Sequence, residues 1–180
     1  GARGRPPVLA RCAGKVTTKQ IMIDSKDVVV IGGGFAGLSA SVALAVPQAD
    51  GVVTDAAPGV DGIERFSIDL RQSASVQAAL AEARSAVGPI EILINCAEEP
   101  IQRPFLDTHE TEWRALVQVT LMGVFRVTQV VLPEMIGRGF GRVVNVASDT
   151  GRVGGAGRAV SSGCAGGVIA FTKTIARELA

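Results

Sequence analysis

Tyrosine is missing altogether from the 180 residues, and histidine and tryptophan occur once each. These gaps remove whole chemistries. No phenol is on hand as a proton donor. A Ser-His-Asp relay would have to recruit His109, which sits before Glu110 at a helix start, where a surface position is expected. Cys12, Cys96 and Cys164 make an odd number at wide spacing with no CxxC, which excludes a disulfide framework and a zinc site. No metal site is expected, and a reducing, cytoplasmic setting fits. Uninterrupted apolar runs such as Val28 to Ile31 are strand-sized, far from the roughly 20 residues of a spanning helix. The formal charge of +1 marks neither a polyanion nor a membrane surface as a partner, so no nucleic acid and no membrane are expected.

What is present is a core-forming composition, 47% hydrophobic, enough for one domain over residues 27–180. Residues 1–26 differ: Arg3, Arg5, Arg11, Lys15 and Lys19 stand without an acid, beside Pro6 and Pro7, and a disordered tail is expected there. From Asp27 the chain alternates strand and helix patterns. Asp27 to Ile31 is an apolar run of the kind covered on both faces, feeding into Gly32-Gly33-Gly34-Phe35-Ala36-Gly37 and then a small, apolar helical stretch to Val46. Gly32, Gly34 and Gly37 thus fall at a strand-to-helix turn, where glycines admit the close approach of a pyrophosphate. The next strand, Gly51 to Thr54, ends at Asp55, 18 residues past Gly37, where a carboxylate can grip an adenosine ribose and repel a 2′-phosphate. That favours NAD over NADP.

Further units follow. Glu64 to Leu70 reads as a strand, and Ser73 or Ser75 as the cap of a helix running to Val87 and ended by Gly88-Pro89. Ile90 to Ala97 reads as a buried strand. Asp107 or Thr108 is expected to cap one long helix carrying Trp113, Leu116, Val117, Leu121, Phe125 and Val131, with Pro133 late in it. Arg142 to Ala147 reads as a fifth strand, and Cys164 to Ala180 as the last helix, with Ser161-Ser162 as its cap. Strands separated by helices predict an α/β fold, a doubly wound parallel sheet of Rossmann type, with ligands at the strands' carboxyl ends.

Asp69-Leu70, Ile94-Asn95-Cys96-Ala97, Val119-Thr120-Leu121-Met122-Gly123-Val124-Phe125, Gly141 to Ser148 and Gly166 to Ala180 together resemble the short-chain dehydrogenase/reductase family, from about Ile63 onward. The resemblance implies NAD(P), carbonyl–alcohol interconversion, cofactor contacts at Asp69, Leu70, Asn95 and Ala97, and a homodimer or homotetramer built through the helix at 111–135. It also implies a catalytic set of Asn, Ser, Tyr and Lys. Residue by residue these fall on Thr120, Ser148, Ser161 and Ala165, so only Ser148 is retained. Relative to the family, the C-terminal strands and substrate lid are expected to be lacking.

The opening of the chain departs in another way. Its glycines fit G-x-G-x-x-G, and Val28 to Ala45 is similar to the start of FAD-dependent oxidoreductases, so FAD stays open beside the nicotinamide dinucleotides. A serine alcohol is far less acidic than a phenol of reference pKa about 10, and Ala165 offers it no cation. Cys164 has no histidine or lysine nearby in sequence to stabilise a thiolate and is expected to be a small packed residue. Three readings stand: a catalytically impaired family member that keeps a dinucleotide fold; a working NAD(P)- or FAD-dependent oxidoreductase with an unusual proton donor; and a non-enzymatic interaction or remnant domain.

Overall fold

The structure, a computed structural model, describes residues 28–31, 51–54, 64–97 and 101–180. The expected tail at 1–26, the turn bearing Gly32, Gly34 and Gly37, and Asp55 lie outside the described residues.

Five strands form one sheet: β1 (Val28–Ile31), β2 (Gly51–Thr54), β3 (Glu64–Arg65), β4 (Ile92–Asn95) and β5 (Arg142–Asn145). Their order is β3-β2-β1-β4-β5 and every pairing is parallel. This is the doubly wound order, in which succession reverses between β1 and β4 and leaves a crevice at the carboxyl ends. Register keeps those ends level: Ile31 pairs with Thr54 and with Asn95, and Asn95 with Asn145. The strands are shorter than their apolar patterns suggest. β3 stops at Arg65 and β4 starts at Ile92, because Phe66 and Ile90 bury their side chains from flanking loops and not from the ladder.

Helix α1 (Ser73–Val87) follows from alanine-rich, straight-chain sequence with Val76, Ala79, Leu80 and Ala83 buried on one stripe. Its N-cap is Gln72, without a side-chain cap, and not a serine. The Ser75 hydroxyl instead accepts from the Asp69 amide at 2.8 Å, closing the turn before the helix. The expected single long helix is two, α2 (Glu110–Thr120) and α3 (Met122–Arg138), parted at Leu121. The N-cap of α2 is His109, whose amide donates to Glu112 Oε2 at 2.9 Å. Thr108 faces back, donating to the Phe105 carbonyl at 2.6 Å and accepting from Trp113 Nε1 at 2.7 Å. Pro133 lies inside α3 without ending it, and Gly139 ends it in the left-handed conformation that glycine adopts at no steric cost. Val124, Val127, Val131 and Met135 are buried on α3, and the core joins the last three to Leu80, Ile90 and Leu93.

A four-residue helix, α4 (Thr150–Val153), precedes α5 (Ala159–Glu178). α5 therefore starts five residues before the expected Cys164, and Ser161 and Ser162 lie within its first turn, not at a cap. Uninterrupted apolar runs are short, as the sequence indicates, yet the helical stretches Glu110–Arg138 and Ala159–Glu178 are long and apolar enough to cross a membrane by length and composition. A core helix of a soluble protein meets the same description, and both carry buried residues in this fold.

Candidate active site at the carboxyl edge of the sheet

β4 and β5 deliver two short segments to the crevice. Beyond Asn95 the ladder gives one more bond, Val146 N–H to the Asn95 carbonyl at 2.8 Å, and then the chains diverge. Asn95 is 2% exposed, and its side chain is committed to the sheet. Nδ2 donates to Asn145 Oδ1 at 2.8 Å and, more weakly, toward Thr128 Oγ1 at 3.4 Å. Asn145 Nδ2 passes the chain on to Thr172 Oγ1 at 2.8 Å, which donates to the Val168 carbonyl at 2.7 Å. Asn95 thus locks β4 and β5 together and joins them to α5, while its Oδ1 is buried without a partner among the described residues. Ala97 is half-buried and packs against the core.

Ser148, the one retained member of the family set, shares a hydrogen with Thr150 Oγ1 at 2.9 Å and accepts from the Thr150 amide at 3.3 Å. No hydrogen bond joins it to Ser161 or Thr120 among the described residues. Ser161 is 4% exposed and looks elsewhere: its Oγ accepts from the Ile101 amide at 3.2 Å and lies 3.5 Å from the Ile101 carbonyl. The same loop is held by Arg103 N–H to the Gly157 carbonyl at 2.8 Å. Ser161 is a tether between the β4–α2 connection and α5. Ala165 is buried one turn on, against α4, where a Cβ at Gly151 would stand 2.8 Å from the Ala165 Cβ and 2.6 Å from the Gly166 nitrogen. Thr120, at the end of α2, is buried with Oγ1 unpartnered among the described residues. Lys173, the one lysine among the described residues, is exposed and 12 positions beyond Ser161 on α5, about 18 Å along the helix.

At the other end of the crevice, the turn after β3 is heavily fixed. Asp69 accepts four bonds: Arg71 N–H and Nε on Oδ1, at 3.0 and 2.8 Å, and Arg71 Nη2 and Gln72 Nε2 on Oδ2, at 3.1 and 2.9 Å. The Arg71 bonds, with Gln72, hold the Asp69 carboxyl far below the ordinary carboxylate range. Leu70 turns its side chain into the core. Burial pushes the Cys96 thiol up to about 11 and the Cys164 thiol upward too, so both are neutral packing groups. Among the described residues no three His, Cys, Asp or Glu groups gather as a metal site.

Sequence reasoning missed Thr150, Gly151 and Ile101, which position the site without reacting. Only Gly151 carried a signal, a glycine three residues past a candidate catalytic serine, and its meaning needed α5 beside it.

A five-stranded parallel sheet in this order defines a doubly wound α/β protein of Rossmann type. The short chain dehydrogenase family model matches residues 27–180, and the chain belongs to that family. It is 37% identical over 123 residues to an acetoacetyl-CoA reductase of Allochromatium vinosum, covering 68% of this chain and 50% of that protein. It is 34% identical over 143 residues to carbonyl reductase [NADPH] 2 of Sus scrofa, covering 79% and 57%. Among solved structures, the F189W actinorhodin polyketide ketoreductase with NADPH superposes with a TM-score of 0.75 at 28% identity, covering 87% of this chain and 67% of that one. The chain spans about half the length of the curated acetoacetyl-CoA reductase it matches. The family uses nicotinamide dinucleotides, so membership favours these over FAD.

The described half of the site fits such a cofactor. The strand ends are level, and Thr120 brings a hydroxyl unpartnered among the described residues to the end of α2.

Proposed function

We propose that the chain is a nicotinamide dinucleotide-binding member of the short chain dehydrogenase family whose carbonyl–alcohol chemistry is impaired. The cofactor, when bound, supplies or accepts hydride. Gly32, Gly34 and Gly37 would face its pyrophosphate, Asp55 its adenosine ribose, and the backbones of Asp69-Leu70 and Asn95 to Ala97 would line the crevice. NAD is favoured over NADP by Asp55, although two of the proteins it resembles are named with NADPH.

One observation carries the impairment: at the tyrosine position stands Ser161, buried and hydrogen-bonded to the Ile101 backbone. An alcohol so placed is committed to the Ile101 backbone, and Ala165, one turn on, offers it no cation. Ser148 can still hold a carbonyl oxygen by a hydrogen bond, but among the described residues its partner is Thr150, an alcohol and no proton source of suitable pKa. Orientation and hydride supply are kept while proton delivery is lost.

Family membership extends this proposal to a homodimer or homotetramer through the 111–135 segment. Fluorescence titration with NADH and NADPH should show saturable binding with NADH the tighter, and light scattering a mass above one chain. NADH oxidation with acetoacetyl-CoA should stay near the uncatalysed background. Robust turnover by purified protein would sink the impaired reading, and absence of any nucleotide binding would favour a non-enzymatic interaction domain.

A further inference from the structure

The turn at the β3 side of the crevice is held from behind by one arginine. Arg126, in the second turn of α3, donates from Nη1 to the Leu70 carbonyl at 2.8 Å and to the Gln118 carbonyl at 3.2 Å, and from Nη2 to Gln118 Oε1 at 2.6 Å. It is half-buried, yet all three acceptors are neutral, and no carboxylate lies within ion-pair distance of it among the described residues. A guanidinium drawn out of water without an acid is costly. Here its planar fork is matched to acceptors on two elements at once, a geometry that lysine cannot reproduce.

We propose that Arg126 is a positioning residue for the adenosine end of the dinucleotide site, an inference that rests on the nucleotide-binding reading above. In a doubly wound sheet the adenosine half lies over the β1–β2–β3 side of the switch point, the side on which Asp69 and Leu70 sit. A carboxylate offers about four acceptor positions, and those of Asp69 are all taken by Arg71 and Gln72. Its charge is turned on its own neighbours, so what this turn offers an adenine ring is backbone and shape. Both depend on where the turn stands.

Two contacts set that height. Gly123 lets α3 approach until a Cβ there would lie 3.1 Å from Leu70 Cβ, and Arg126 then grips the Leu70 carbonyl. Because Gln118 is in α2 and Arg126 in α3, the same fork spans the break at Leu121 beside Thr120. One side chain therefore fixes the adenosine rim relative to the helix break that ends at the family's asparagine position.

The test uses the whole chain with Arg126→Met, Arg126→Lys and Gln118→Ala, titrated with NADH and with ADP-ribose, and with amide hydrogen exchange read at Leu70 to Gln72. Arg126→Met should weaken NADH and ADP-ribose alike by about tenfold, the loss of one charge-assisted hydrogen bond. Exchange at the turn should rise with it. Arg126→Lys should fall between, since an ammonium can keep the Leu70 bond but not the fork. Wild-type affinity for both ligands in Arg126→Met would overturn the inference while leaving the nucleotide reading intact. If that variant does not fold, unchanged affinity in Arg126→Lys and Gln118→Ala together overturns it. Failure of the unmodified chain to bind either ligand would remove both the nucleotide reading and this one.

Discussion

Ser161, Ala165 and Thr120 are each smaller than the family residue they replace, yet two of them have found other tasks. Ser161 ties the loop at Ile101 to α5, and Ala165 lets α4 lie against that helix. The identities were legible in the sequence once the resemblance fixed the alignment. Their directions were not, because a hydroxyl's partner is set by whichever backbone group is nearest in space. Ser161→Tyr with Ala165→Lys should raise NADH-dependent reduction of acetoacetyl-CoA above the parent, read as loss of NADH absorbance, since the pair restores a phenol with a cation one turn away. The same variant should melt at lower temperature, because the Ile101 amide loses its acceptor. No gain in turnover would move the defect to the glycine turn.

Helices and strands were readable to different degrees. The buried stripe of α1 and the helical spacing through Glu110–Arg138 were legible because 3.6-residue periodicity records one buried face. The break at Leu121 was not, since nothing local in Thr120-Leu121-Met122 stops a helix. It arises where Leu121 packs toward α5: a Cβ at Gly167 would lie 3.0 Å from Leu121 Cδ1. The start of α5 at Ala159 was missed because Ser161-Ser162-Gly163 has weak helix propensity, which tertiary contacts override. At Gly151 two elements approach closely, its missing Cβ within 2.6–2.8 Å of α5 backbone and Ala165 atoms. Gly151→Ala should therefore destabilise the protein by about 1–3 kcal/mol, the usual cost of overpacking. A denaturant titration checks this, and an unchanged midpoint would refute the close approach.

Over the whole molecule, acid should be the weakness. Arg71 holds the Asp69 carboxyl below its ordinary value, and Arg103, with the His109 amide, does the same for Glu112. A carboxyl depressed on folding adds stability that is fully present above the unfolded values, about 3.9 for Asp and 4.3 for Glu, and is lost as pH falls toward the folded ones. The denaturation midpoint should hold near neutrality and drop below about pH 4. Asp69→Asn should be less stable than the parent at neutral pH and converge with it in acid; parallel curves at every pH would disprove the coupling.

The amino-acid order by itself determined the class of fold, the residues standing in the family's catalytic positions and the loss of phenol and ammonium among them, because periodicity, glycine spacing and side-chain identity are local properties of a chain. Only the tertiary structure decided where those side chains turn. It bound Asn95 into the sheet, saturated Asp69 with its own neighbours, tied Ser161 to Ile101 and set Arg126 behind Leu70. The reason is physical: Leu70 and Arg126 are 56 residues apart and Ile101 and Ser161 are 60, so their hydrogen bonds exist only after the sheet and helices have packed.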